Sequence, residues 1–157
     1  MELIGKLQKL LYKHIPLAKH MGVIIDKFDG KDFELAAPLE PNINDKETAF
    51  GGSLYSIAVL CGWGMLQMKC LEAKLKVETV IHKAQVKYMV PVTGNFIART
   101  SIDENEWSLI LPILKEGKRI RIPLNVEIFC DGEKVLSFIG KYVIKPHMIS
   151  QQQAAQS

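Results

Sequence analysis

The run Asn42-Ile43-Asn44-Asp45-Lys46-Glu47-Thr48-Ala49-Phe50-Gly51-Gly52-Ser53 leads directly into a nearly unbroken apolar stretch, Leu54 to Leu66. A polar loop with paired glycines opening a helix gathers free backbone N–H groups, the positive end of a helix dipole and an Asn amide around one point. That combination suits negative charge developing on an oxygen, with Asn44, Gly51 and Gly52 as its donors. Thr48, Phe50, Ser53 and Tyr55 flank the same point and are candidates to line it. Asp45 and Glu47 are the nearest carboxylates, although acids just ahead of a helix often only complement its dipole. His82 sits among the even, core-facing positions of a later strand and is a candidate proton donor or general base. Each residue has a plainer role available: Asn44 as a loop brace, Thr48 and Ser53 as caps, Tyr55 as core.

Other chemistries find less support. Cys61, Cys70 and Cys130 form no CxxC pair, and a spacing of nine puts Cys61 and Cys70 on roughly opposite sides of one helix at about 100° per residue. They read as buried thiols of a reducing cytoplasm. His14, His20, His82 and His147 have no ligand spacing, so neither a metal nor another cofactor is expected. A net charge of +3 is too small for a nucleic-acid binder. The amino-terminal residues lack a signal peptide's apolar run, and no stretch reaches the ~18 apolar residues of a membrane span. Lys115, Lys118, Arg119 and Arg121 form a basic stretch that could meet an acidic partner or simply face water.

The elements that must position these residues follow from periodicity. Leu3, Leu7, Leu10, Leu11 and Ile15 mark an amphipathic helix over 2–15 that Pro16 would stop. A strand over 22–28, a turn at Asp29-Gly30 and a second strand through Phe33, Leu35, Ala37 and Leu39 form a hairpin. The helix over 51–74 is apolar on every side at first, so other structure must wrap it; Gln67, Lys69, Glu72 and Lys74 take its last turns into water. Gly62 and Gly64 within it imply close approach of a neighbour. Strands are expected over 80–90, 96–102, 120–130 and from Leu136 to Ile144, while 103–117 fits a short helix or a strand. The domain is expected to span 1–146, with a low-complexity, disordered tail over 147–157.

The loop Asn42 to Gly52, the helix after it and Tyr88-Met89-Val90-Pro91-Val92 closing the next strand resemble the hotdog superfamily of acyl-thioester enzymes. Pro41-Asn42-Ile43-Asn44, Thr48-x-Phe50-x-Gly52-Ser53, Gly62-Trp63-Gly64 and Phe129-Cys130-Asp131-Gly132 narrow the likeness to the YiiD C-terminal group. The resemblance implies an α+β hotdog fold, one curled antiparallel sheet wrapped around a long central helix. It also implies a homodimer or dimer of dimers with sites built from both chains, and it would accommodate Gly62 and Gly64 where two such helices meet.

Many hotdog thioesterases carry Asn, five residues, His-Gly-Gly, then a carboxylate about nine residues on. Here Asn44 and Gly51 match, Phe50 replaces the His, and the carboxylate position falls at Val59. Hydrolysis needs water activated by a base or replaced by a nucleophile. Decarboxylation of a malonyl thioester needs only donors for the enolate oxygen. Part of the resembling group is known as malonyl-acyl-carrier-protein decarboxylases, which make the acetyl-carrier protein that starts fatty acid synthesis. The leading expectation is therefore malonyl-ACP decarboxylation through Asn44, Gly51 and Gly52. The alternatives are an acyl-CoA or acyl-ACP thioesterase using Asp45, Glu47 or His82, and a non-catalytic acyl-thioester binding module. The expected partner is acyl carrier protein or a CoA thioester, with no nucleic acid and no membrane.

Overall fold

A computed structural model describes residues 1–147. Its elements run α1 (Glu2–His14), α2 (Pro16–His20), β1 (Ile24–Phe28), β2 (Asp32–Ala37), a single 3₁₀ turn (Glu40–Asn42), α3 (Gly51–Glu72), β3 (Val77–Tyr88), β4 (Phe96–Ser101), α4 (Glu104–Lys115), β5 (Ile120–Cys130) and β6 (Glu133–Pro146). The six strands form one curled antiparallel sheet in the order β1-β2-β4-β5-β6-β3, with α3 in its concavity. This is the hotdog arrangement. Pro16 does end α1, but its fixed φ then starts the extra short helix α2 as the N1 residue. The ambiguous stretch is the helix α4, which carries Pro112 inside it. The expected tail lies, apart from His147, outside the described residues.

Alternation along β2, β4, β5 and β6 delivers Phe33, Leu35, Phe96, Ala98, Ile122, Leu124, Val126, Ile128, Phe138 and Tyr142 to the concave face, all buried against α3. Gly62 and Gly64 are where this sheet presses closest. A Cβ on Gly62 would collide with the Tyr142 phenol, and one on Gly64 would stand 2.6 Å from the Phe33 ring. The expectation that these glycines serve a meeting of two helices is corrected: they admit rings from the chain's own sheet. Tyr142 Oη reaches through the gap and donates to the Val59 carbonyl at 2.7 Å. By length and hydropathy α3 could cross a bilayer, yet 67% of its most apolar window is buried inside the fold.

The wrapping of α3 is not complete. The exposed Tyr55 and the half-buried Val59 and Trp63 form an apolar stripe along one side, at the three-to-four-residue spacing of a helix face. The two sheet edges differ as well. Gln8 of α1 accepts the Ile25 N–H at 2.7 Å, and Gln8 and Tyr12 both donate to the Val23 carbonyl, so α1 covers the β1 edge. β3 pairs with β6 alone.

Two sequence expectations change here. His82 does not face the core: a bulge between Ile81 and Lys83 breaks the alternation, and His82, Val80 and Tyr88 are all exposed. Edge strands accommodate such an extra residue readily. Lys69 does not emerge into water either, because its side chain is 1% exposed. Its Nζ donates to the Gly30 carbonyl at 2.9 Å and to Glu104 at 3.1 Å, over the Trp107 ring at 5.4 Å.

Candidate functional site

The loop ahead of α3 is closed by backbone. Ile43 and Ala49 form an antiparallel bridge, the Ala49 N–H donates to Val92, and the Phe50 N–H donates to the Asn42 carbonyl at 2.7 Å. Asn42 anchors it from beneath, its buried Nδ2 donating to the Met21 and Pro38 carbonyls at 2.8 Å each. Inside the loop, Asn44 Oδ1 accepts from the N–H groups of Lys46 and Thr48 and from the Thr48 hydroxyl. Its Nδ2 donates to Thr48 Oγ1 at 2.9 Å and reaches the Ala49 carbonyl only at 3.5 Å. Asn44 is thus a half-buried brace whose acceptor is fully used and whose second amide proton is weakly engaged.

At the leading end of α3 no side chain caps the helix. Neither Thr48 nor Ser53 takes that role, Thr48 being bonded to Asn44 instead. The first helical bond runs from the Leu54 N–H to the Phe50 carbonyl at 3.1 Å, which leaves the N–H groups of Gly51, Gly52 and Ser53 without helical partners. Two rings bracket them. The Phe50 ring, 57% exposed, lies against Gly52 where a Cβ would stand. Tyr88 Oη donates to the Gly51 carbonyl at 2.9 Å. Burial and then the nearby Tyr55 raise the Tyr88 pKa above its ordinary value, so it stays a neutral phenol at pH 7. Tyr55 packs edge-on against Phe138 at 5.7 Å.

The candidates divide accordingly. Asn44, Thr48, Phe50, Gly51, Gly52, Ser53 and Tyr55 gather at one end of α3. His82 lies six residues from Tyr88, about 20 Å along β3 at strand rise, and is not brought to this end within one chain. Asp45 and Glu47 sit at the exposed tip of the loop, with Asp45 beside Lys46 at 3.8 Å. Tyr88 was not among the expected site residues, although its place in Tyr-x-x-Pro-Val was visible. A groove of about 800 Å³ lies on the sheet's convex face along Ile24, Ala36, Ile97 and Phe129 and contains none of the candidates. Among the described residues no cluster of His, Cys, Asp and Glu could hold a metal ion.

A family model described as "Putative thioesterase (yiiD_Cterm)" matches residues 4–146. A solved structure of a thioesterase from Shewanella oneidensis, so named with the same qualifier, is 31% identical, covering 92% of this chain and 99% of that one, with a TM-score of 0.86. A protein of unknown function from Chlorobaculum tepidum is 35% identical over 91% of this chain and 94% of that one, also at 0.86. A Haemophilus influenzae thioesterase shares the fold at a TM-score of 0.72 and 12% identity, over 94% of each chain.

Proposed function

Because the chain belongs to the YiiD C-terminal thioesterase family, whose members are named for acyl-thioester chemistry, we propose that it decarboxylates malonyl thioesters, malonyl-ACP foremost, to the acetyl form. The observation that carries this reading is a bare helix end with no acid behind it. Three uncapped N–H groups stand at Gly51 to Ser53, the loop leading to them holds an Asn44 amide whose second proton is only weakly engaged, and α3 carries no carboxylate before Glu72.

With the thioester oxygen at these donors, the bond between the malonyl carboxylate and its methylene breaks and CO₂ departs. The bonding pair passes into the enolate, whose oxygen takes the charge, and a proton from water returns to carbon to give the acetyl thioester. Donors in place before reaction lower that barrier, each worth about 10²–10³ in rate. No cofactor enters. A mass-spectrometric product survey over malonyl, acetyl and long-chain thioesters of carrier protein and CoA tests the reading. CO₂ with acetyl thioester is the expected outcome, and free thiol alone overturns it.

Hydrolysis is the second reading, favoured by the name of the 31%-identical Shewanella relative. It requires Asp45, Glu47 or His82 to activate water, and loss of thiol release in Asp45→Ala or Glu47→Ala would select it.

We further propose that the enzyme works as a homodimer in the reducing cytoplasm. The uncovered stripe Tyr55, Val59 and Trp63 and the open β3 edge would both be closed by a second copy, and the three cysteines are all buried and free. Light scattering that returned a monomer mass would remove the dimer.

A further inference from the structure

The convex face of the sheet carries positive charge that the chain does not neutralise. On it Lys141 of β6 lies directly opposite Lys83 of β3, and Arg121 of β5, paired with Val143, is the diagonal neighbour of Lys141. Lys87, four residues along β3 from Lys83, extends the strip. All four side chains are exposed, and none is among the ion pairs of the described residues. Of the acids near that face, Glu127 binds Lys134 at 2.8 Å, Glu34 binds Arg99 at 2.7 Å, Glu78 stands across from Lys145, and Glu106 of α4 shares a groove with Pro123 and Asn125 but forms no ion pair with the strip. The basic stretch noticed in the sequence contributes only Arg121 to this strip, since Lys118 is paired with Glu116 at 3.0 Å.

Like charges directly opposite on neighbouring strands destabilise a sheet. A strip that keeps them without internal counter-ions favours an anionic partner. Its position says where that partner's cargo would go. Lys83 and Lys87 are about 13 Å apart at strand rise, and the next residue, Tyr88, is bonded to Gly51 at the leading end of α3. The strip lies on the face of the sheet opposite α3, and its Lys87 end adjoins the strand end where Tyr88 meets Gly51, so a partner's cargo would reach the uncapped N–H groups around that end of β3.

We propose that Lys83, Lys87, Lys141 and Arg121 form the docking surface for an acidic acyl carrier protein. Its identity as a thioester carrier rests on the acyl-thioester reading above; the charge argument does not. Side chains on this face stand off the sheet, so a second chain added along the β3 edge would leave them exposed and set another strip alongside.

The test is binding of a fluorescently labelled acyl carrier protein to the full chain at 50 and 200 mM salt, with turnover of malonyl-CoA measured in parallel. Lys141→Glu/Arg121→Glu lies off the β3 edge and should weaken carrier binding at least tenfold and flatten its salt dependence. The melting temperature and malonyl-CoA turnover should stay at wild-type values. Lys83→Glu/Lys87→Glu should reproduce the loss. Carrier binding unchanged in both variants overturns the surface, as does wild-type protein that binds anionic vesicles or duplex DNA but no carrier protein. A wild type that binds the carrier through the strip yet turns over no thioester would remove the activity and leave the surface standing.

Discussion

The two ends of α3 are built on opposite terms. At its trailing end nearly every polar group has a partner: Lys69 is buried against the Gly30 carbonyl, Glu104 and Trp107, and Gln67 donates to Thr79 at 3.1 Å. At its leading end the helix is uncapped, opened by two glycines and flanked by exposed rings. A helix loses about 1 kcal/mol of stability for each missing cap, so the bare end is a cost that the anchored end and the apolar middle must offset. Unsatisfied donors held in place by a satisfied remainder are what a site for developing charge requires.

Changes at the two ends should therefore separate activity from stability. The largest effect expected is on Asn44→Asp, which keeps the oxygen that braces the loop but replaces the amide donors with negative charge. Turnover should fall by about 10²–10³ with the melting temperature little changed, whereas a large loss of stability would make Asn44 a brace alone. At the other end, Lys69→Met should cost about 1–3 kcal/mol in urea unfolding, because the Gly30 carbonyl loses its charged donor, while kcat is retained. Glu104→Gln should cost less than about 1 kcal/mol, its carboxylate being mostly exposed.

The smallest effect concerns the turn that offers Gly30 to Lys69. Asp29 accepts from the N–H groups of Asp32 and Lys31, and these bonds, with Lys27 beside it, hold its pKa at about 2 against an ordinary 3.8. Such a depressed value stabilises the fold fully above the unfolded pKa and ceases to do so as pH falls through about 2. Unfolding midpoints measured between pH 5 and 2 should decline less steeply in Asp29→Asn than in the wild type.

Much of this architecture was readable in the chain itself. Period-two alternation located the strands, the all-apolar run located α3, and Gly62 and Gly64 announced close contact before Tyr142 and Phe33 were known to make it. The misreadings were of residues whose surroundings come from far along the chain. Lys69 looks like an emerging terminal lysine until the turn 39 residues before it and the helix start 35 residues after it close around its ammonium. His82 looks inward until a bulge on an edge strand shifts the count. At the candidate site the donors were legible as a motif. That Asn44's oxygen is spent on its own loop was not, because an Asn side chain reads alike whether it binds a neighbour or a ligand.

The Tyr142 hydroxyl, passing over Gly62 to the Val59 carbonyl, works like a dowel between sheet and helix. Val59 lies eight residues beyond Gly51, about 12 Å at helical rise, and a helix is stiff over that length. Where the bare donors sit in space is thus fixed from the middle of the sheet. Remodelling the loop would alter what surrounds them and leave their coordinates alone, which makes that loop the natural place to retune which thioester is accepted.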